Sequence, residues 1–333
     1  MRRQEREERP LFFIVGSGRS GTTVFRALLN AHPEVSIAHE SDFAIHGYSL
    51  SKGGLIEEAD YSTLARAFRE TSEDDGWGWS EEEVEQIFLK ERPNSFQGAV
   101  RILSLEYSKK EGVEKGVLGI KRPMLIFYLK DLQEIFPSSP ILHLVRDGRD
   151  VYLSYREVHN KLKNPFGPKG IVTSALYWSV GLSEMGKRKE SEKILELRYE
   201  DLLEDSSAVL QRVCEHLNIT FSENEMLNYA KSKESENMIL EKDKDGHHSN
   251  VLKGLMGKNH GKYLNKMKTW ELWLFEGLAG NWLRSYGYKT EVPKVIDILF
   301  ALPRYFLQGV ACFFNKARYK RRESALNSSW RKK

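Results

Sequence analysis

Apolar positions along the chain fall into two kinds of segment. Short runs rich in aliphatic, β-branched and aromatic residues occur at 11–15 (LFFIV), 35–38 (VSIA), 117–120 (VLGI), 141–145 (ILHLV) and 194–197 (ILEL). Several are apolar on both faces, which is the signature of strands covered on both sides. Between them, apolar residues recur at helical spacing over about 22–31, 149–161, 172–191, 202–217 and 269–286, which predicts amphipathic helices. Alternating elements of this kind predict a doubly wound α/β fold, with a mostly parallel five-stranded sheet between helical layers. Segment 44–115 breaks the alternation: it is rich in Glu, Lys, Gly and scattered aromatics (EDDGWGWSEEEVEQIF) and reads as a helical insertion or lid over an acceptor. Residues 231–264 combine Lys, Gly, Asn and His with little apolar periodicity and predict a long loop.

Composition narrows the picture. With 333 residues, 40% hydrophobic and 11% aromatic, the chain is no disordered segment, and a domain of this size buries about 75% of its unfolded surface. The organisation expected is a charged tail (1–10), a main domain (11–290, including 44–115) and an amphipathic, basic tail (291–333). Fifty-one basic against 47 acidic residues, a net charge of +4, is too balanced for a nucleic-acid binder. Cys214 and Cys312 stand too far apart for a metal knuckle or a disulfide framework, so no metal and a reducing compartment are expected. The start MRRQEREERP has no apolar core of a secretory signal, and no uninterrupted apolar run reaches the roughly 20 residues of a membrane span. A cytoplasmic location is the expectation. At the other end, an apolar stretch interrupted by Asp297, Arg304 and Gln308 runs into a cluster of Lys and Arg. Residues 295–322 therefore read either as a segment lying on a membrane surface or as a terminal helix docked on the core.

The chemistry begins after the first strand. Gly16, Ser17, Gly18, Arg19, Ser20, Gly21, Thr22 and Thr23 lead from LFFIV into the amphipathic run VFRALLNA. Strand, glycine loop and helix match the phosphate-loop template G-x-x-x-x-G-K-[ST] at Gly16, Gly21 and Thr23, but Thr22 replaces the lysine. Backbone N–H groups and the helix start still suit a phosphate. The nucleoside-triphosphate lysine is gone, and Arg19 supplies a cation in its place. At the end of the fourth strand Arg146 offers a second anion site. Two such sites at strand ends suit a nucleotide with phosphates at both ends of its ribose. Arg146 precedes Asp147, where it opposes a magnesium ion.

The loop GSGRSGTT followed by AHPEV resembles the 5′-phosphosulfate loop of sulfotransferases that use 3′-phosphoadenosine 5′-phosphosulfate (PAPS). ILHLVRDGRDVYLSYREV is similar to that family's 3′-phosphate element, which implies Arg146 and Ser154 as 3′-phosphate ligands. KILELRYEDLLED resembles the strand and helix start that implies Tyr199 near the adenine. GKYLNKMKTWELWLFEGLAGNWLRSYGY resembles the closing loop and helix, and implies Lys258, Gly261 and Lys262 as contacts to the nucleotide phosphates. The matches span roughly residues 11–288 and lie nearer the tyrosylprotein and carbohydrate type than the cytosolic small-molecule type.

For catalysis the resemblance implies Arg19 and Lys121 as the cations facing the transferred group. The small-molecule branch places a histidine base two residues past that lysine, where this chain has Pro123. The tyrosylprotein branch has a glutamate shortly after H-P-[DE]-V; His32-Pro33-Glu34-Val35 followed by Glu40 repeats that distance, so Glu40 is the expected base, close to the loop that holds Arg19. His39 is the next candidate and His46 a weaker one. Val24-Phe25 replaces the tryptophan that many small-molecule relatives place against the adenine. Trp77, Trp79, Trp270 and Trp273 are expected in core or lid packing rather than in an acceptor cleft. The function implied is metal-independent sulfonate transfer from PAPS to a hydroxyl on a glycan, glycolipid, natural product or tyrosine. The alternatives are a P-loop small-molecule kinase and a noncatalytic module that binds polyanions or membranes.

Overall fold

The computed structural model describes residues 8–72, 74–112, 116–163, 165–188, 191–229 and 259–331. Its centre is a sheet of β1 (Leu11–Gly16), β2 (Val35–Ala38), β3 (Val117–Lys121), β4 (Ile141–Val145) and β5 (Ile194–Arg198), in the order β2-β3-β1-β4-β5. Every pairing is parallel; Phe13, for example, lies between Ile120 of β3 and Ile141 of β4. The first four strands are buried throughout, which is why apolar runs rather than alternation mark them. Within β1 the period of two still decides the layer: Leu11, Phe13 and Val15 join one core, Phe12 and Ile14 the other.

Helices cover both faces, so the doubly wound reading is borne out. The longer ones are α1 (Thr22–Asn30), α2 (Tyr61–Thr71), α3 (Glu81–Glu91), α4 (Phe96–Lys110), α5 (Gly148–Lys161), α6 (Ile171–Gly186), α7 (Ser206–Leu217), α8 (Thr269–Ser285) and α9 (Lys294–Arg331). Two differ from expectation. The helix expected over 172–191 closes at Gly186, and the one expected over 202–217 breaks at Asp205, whose side chain caps the start of α7 by accepting from the Ala208 N–H at 3.0 Å. The described part of 44–115 carries α2, α3 and α4. Helix α4 buries Ala99, Val100 and Leu103 in the same core as Phe13, Leu118 and Ile120, so it is the crossover that carries the chain from β2 to β3. Trp77 is in that core and Trp79 packs against it, whereas Trp270 is exposed.

Candidate active site

Because all five strands point the same way, their carboxyl ends share one edge, and each end delivers one of the expected site residues. Ser17 follows β1, Glu40 stands just past β2, Lys121 closes β3, Arg146 follows β4 and Tyr199 follows β5. The strand order therefore sets their order in space: Glu40, Lys121, the glycine loop, Arg146, Tyr199. The chain leaves β1 first toward β2 and later toward β4, and ligands of open α/β sheets sit at such a switch point.

The loop is shaped by close contacts. Gly21, with φ of +93°, forms the N-cap of α1, and a Cβ there would enter the Tyr199 ring; a Cβ on Gly18 would strike the Tyr155 hydroxyl. Arg19 adopts φ of 68° without being glycine, a conformation that costs a non-glycine residue about 1 kcal/mol. The turn sends its side chain to α5, where Nε donates to Ser154 Oγ at 2.9 Å. Burial is the main influence lowering the Arg19 pKa, and Arg146 adds to it.

Arg146 lies alongside. Its Nη1 donates to the Arg19 carbonyl at 3.3 Å and Nη2 to the Asn259 carbonyl at 2.7 Å, and its guanidinium carbon sits 4.8 Å from the Tyr199 ring centre. Asp147, its neighbour in sequence, is taken by the fully buried Arg149 through contacts of 2.7 and 3.0 Å, and Asp150 Oδ2 stays 3.9 Å away from Arg146. The Arg146 Nε has no partner among the described residues. A buried guanidinium N–H left over in this way fits an anionic ligand. Asp150 instead anchors the far loop, accepting from the Gly261 N–H at 2.7 Å and the Tyr263 N–H at 3.0 Å, while Asn259 Nδ2 donates to the Tyr199 hydroxyl at 2.9 Å. Burial and then the Arg146 charge lower the Lys262 pKa. Lys258 lies outside the described residues.

A second cluster occupies the other side of the loop. Lys121 Nζ is paired with Glu40 Oε1, and Arg122 Nη1 donates to Glu40 Oε2 at 2.6 Å. Arg122 also grips Asp42 with two bonds, of 2.8 and 3.0 Å, and Arg322 from α9 reaches the same carboxylate at 3.1 Å. Burial pushes the Glu40 pKa up, but the charges and hydrogen bonds of Lys121 and Arg122 outweigh it and hold the carboxyl at about 2. The cations bonded to Glu40 are Lys121 and Arg122, while the left-handed turn at Arg19 sends its Nε to Ser154. His39 packs edge-on against Tyr107 of α4, and burial, then Arg26 and Lys121, lower its pKa to about 2. His32 has a structural task, bonding the Thr220 carbonyl at 2.6 Å and accepting from the Glu34 N–H.

Sequence reasoning missed Arg122, Asp42 and Arg322. The pair Lys121-Arg122 was visible, but nothing in the sequence ties position 322 to position 42. It also missed a row of rings from the loop to the second cluster: Tyr155 to Tyr177 at 6.2 Å, Tyr177 to Phe127 at 5.2 Å, Phe127 to Tyr319 at 5.7 Å, Tyr319 to Tyr128 at 4.4 Å, and Tyr128 to His46 at 5.5 Å between centroids. Burial first lowers the His46 pKa, to about 4, and neither of its ring nitrogens has a partner among the described residues.

Fold and site together define an α/β protein with a glycine loop between the Arg19–Arg146 pair and the Lys121–Glu40–Arg122 cluster on one sheet edge. The model of the Sulfotransferase family matches residues 10–223, and the chain belongs to that family. Protein-tyrosine sulfotransferase 1 of Danio rerio is 25% identical over 224 residues, covering 65% of this chain and 55% of the relative. Protein-tyrosine sulfotransferase 2 of Gallus gallus is 32% identical over 146 residues, covering 43% and 33%. The chain therefore spans about half or less of the length of these curated relatives. Among solved structures, the sulfotransferase domain from the curacin biosynthetic pathway superposes with a TM-score of 0.54 at 18% identity, over 85% of this chain and 99% of that one, which shows a shared fold.

The cytoplasmic expectation is overturned. The relatives are protein-tyrosine sulfotransferases, and α9 carries a stretch long and apolar enough to cross a membrane, only 11% of it buried against the rest of the chain. Asp297, Arg304 and Gln308 concealed this run in the sequence because they look like interruptions; in the structure they belong to a different face of the helix. Among the described residues no group of three or more His, Cys, Asp and Glu side chains has the arrangement of a metal site.

Proposed function

We propose that the chain transfers a sulfonate group from PAPS to a hydroxyl acceptor. The observation that carries this reading is the division of the sheet edge: a glycine loop in the middle, a cationic pair of Arg146 and Arg19 toward β4, and a Lys121–Glu40–Arg122 cluster toward β2.

In this reading the backbone and hydroxyls of Ser17, Gly18, Ser20, Gly21, Thr22 and Thr23 receive the 5′-phosphosulfate. Arg146 and Ser154 receive the 3′-phosphate, with Arg19 beside them, and Tyr199 borders the adenine; Gly261 and Lys262, with Lys258, close over the phosphates. Lys121 neutralises charge on the transferred group. The acceptor oxygen attacks sulfur while its proton passes to a Glu40 carboxylate oxygen, and the bond from sulfur to the 5′-phosphate oxygen breaks. A sulfate ester and adenosine 3′,5′-bisphosphate are the products. Glu40 held at about 2 is a weak base, so the reading requires Lys121 to turn from Glu40 to the sulfonate when donor binds, which raises the basicity of the carboxylate.

Tyrosine is the acceptor favoured by the relatives' names, and the row of rings from Tyr155 to His46 supports a flat or aromatic acceptor. Calorimetric titration with adenosine 3′,5′-bisphosphate tests the donor site, and transfer of labelled sulfate from PAPS to an acceptor library tests the reaction. Binding of the bisphosphate with labelled product supports the proposal; no binding refutes it in favour of a noncatalytic module.

A further inference from the structure

The face of α9 turned toward the domain packs Phe300 and Leu307 against the core and also carries polar residues: Arg304 is 4% exposed, pairs with Asp297 and donates from Nε to the Gly277 carbonyl at 2.6 Å. Gln308, also buried, donates to the Leu278 carbonyl at 2.8 Å and to Asn281 Oδ1 at 3.1 Å. The opposite face is apolar and open. Val295, Ile298, Leu299, Leu302, Tyr305 and Phe306 are all more than half exposed, Leu302 reaching 84%, and the stripe continues through Phe313 and Phe314. At about 100° per residue these positions cover roughly half the helix circumference.

Soluble chains rarely leave so large a contiguous apolar surface uncovered. Its breadth exceeds the narrow two-in-seven seam by which two helices pair. Where the apolar stripe ends, Lys316, Lys320 and Arg321 stand exposed on the same half of the helix. Apolar bulk followed by cations matches the acyl boundary and headgroups of an anionic bilayer. The orientation is set by the anchors. Arg304 and Gln308 bind α8, and near the other end Trp330 Nε1 donates to Glu70 at 2.7 Å, so the helix lies along the domain rather than standing away from it.

We infer that the outward face of α9 docks in the plane of an anionic membrane surface. Tyr319 and Arg322 of the same helix belong to the row of rings and the Asp42 cluster, so docking carries that side of the site to the bilayer. The inference stands on α9 and does not depend on the reaction proposed above.

The test is co-sedimentation of the full chain, without nucleotide, with vesicles of phosphatidylcholine alone and of phosphatidylcholine mixed with phosphatidylserine. Binding to the mixed vesicles that weakens with salt is expected. The double variant Leu302→Glu, Phe306→Glu should bind roughly a hundredfold more weakly. Each of Lys316→Glu, Lys320→Glu and Arg321→Glu should lose about fivefold or more. Thermal unfolding should be unchanged in all of them, since the altered side chains face outward. Failure of the parent chain to bind mixed vesicles overturns the inference, as does equal, salt-insensitive binding to both vesicle types. A lipid-free dimer by light scattering that Leu302→Glu dissociates, with no vesicle binding, assigns the face to a second copy. Bisphosphate titration of the same preparation separates failure of the membrane face from failure of the donor site.

Discussion

Arg322 and Asp42, 280 positions apart in sequence, meet with Nη2 3.1 Å from Oδ2. The carboxylate is buried and already bonded twice by Arg122, whereas the Arg322 side chain is 47% exposed. These environments predict unequal costs. Asp42→Asn leaves Arg122 with half its buried counter-charge and should lower unfolding stability by about 2–3 kcal/mol. Arg322→Ala removes a screened contact and should cost less than about 1 kcal/mol. Urea unfolding of the two variants measures both, and equal losses would show that Arg322 is integral to the buried network.

Arg146→Ala separates the two ends of the nucleotide. Binding of adenosine 3′,5′-bisphosphate should weaken by about 10- to 100-fold, and binding of adenosine 5′-phosphosulfate much less, because only the former carries the 3′ group. Calorimetry with the two ligands is the measurement. Equal losses would move Arg146 to the 5′ side.

Glu40→Gln keeps the shape of the side chain and removes its basicity. Turnover should fall by about 10²- to 10⁴-fold with donor affinity nearly intact, read from kcat and from bisphosphate titration. The pH dependence has a definite sign. The folded pKa of Glu40, about 2, lies below its ordinary 4.5. Its stabilising effect is therefore complete above pH 4.5, declines as pH falls toward 2, and should be missing from Glu40→Gln in acid unfolding curves. An acid limb of kcat/KM well above pH 4.5 that survives in the variant would point to another group.

Gly21→Ala tests the coupling between loop and nucleotide wall. The new methyl group would both hold φ of +93° against its preference and push into the Tyr199 ring. A loss of about 2 kcal/mol in stability is expected, with weaker bisphosphate binding as Tyr199 leaves Arg146. Tyr199→Leu should relieve part of the stability loss in the double variant; strict additivity would show that the ring is not what the methyl group meets.

The sequence by itself determined the five strands, the glycine loop and the identity of the residue at each strand end. Buried parallel strands must be apolar on both faces, so they stand out from polar surroundings, and a tight loop between strand and helix needs its glycines at fixed positions. Family membership was legible for the same reason, since GSGRSGTT and the Arg146 element are local. What only the tertiary structure decided were relations between distant positions. Strand order put Glu40 beside Lys121 and Arg122 and left Arg19 with Ser154. The left-handed turn at Arg19 is a backbone choice that no pattern of apolar residues records. Composition likewise left α9 open between a membrane surface and a helix docked on the core, until packing turned Arg304 and Gln308 inward and left Leu302 and Phe306 outside. Periodicity tells which residues share a face; only packing tells which face meets the core.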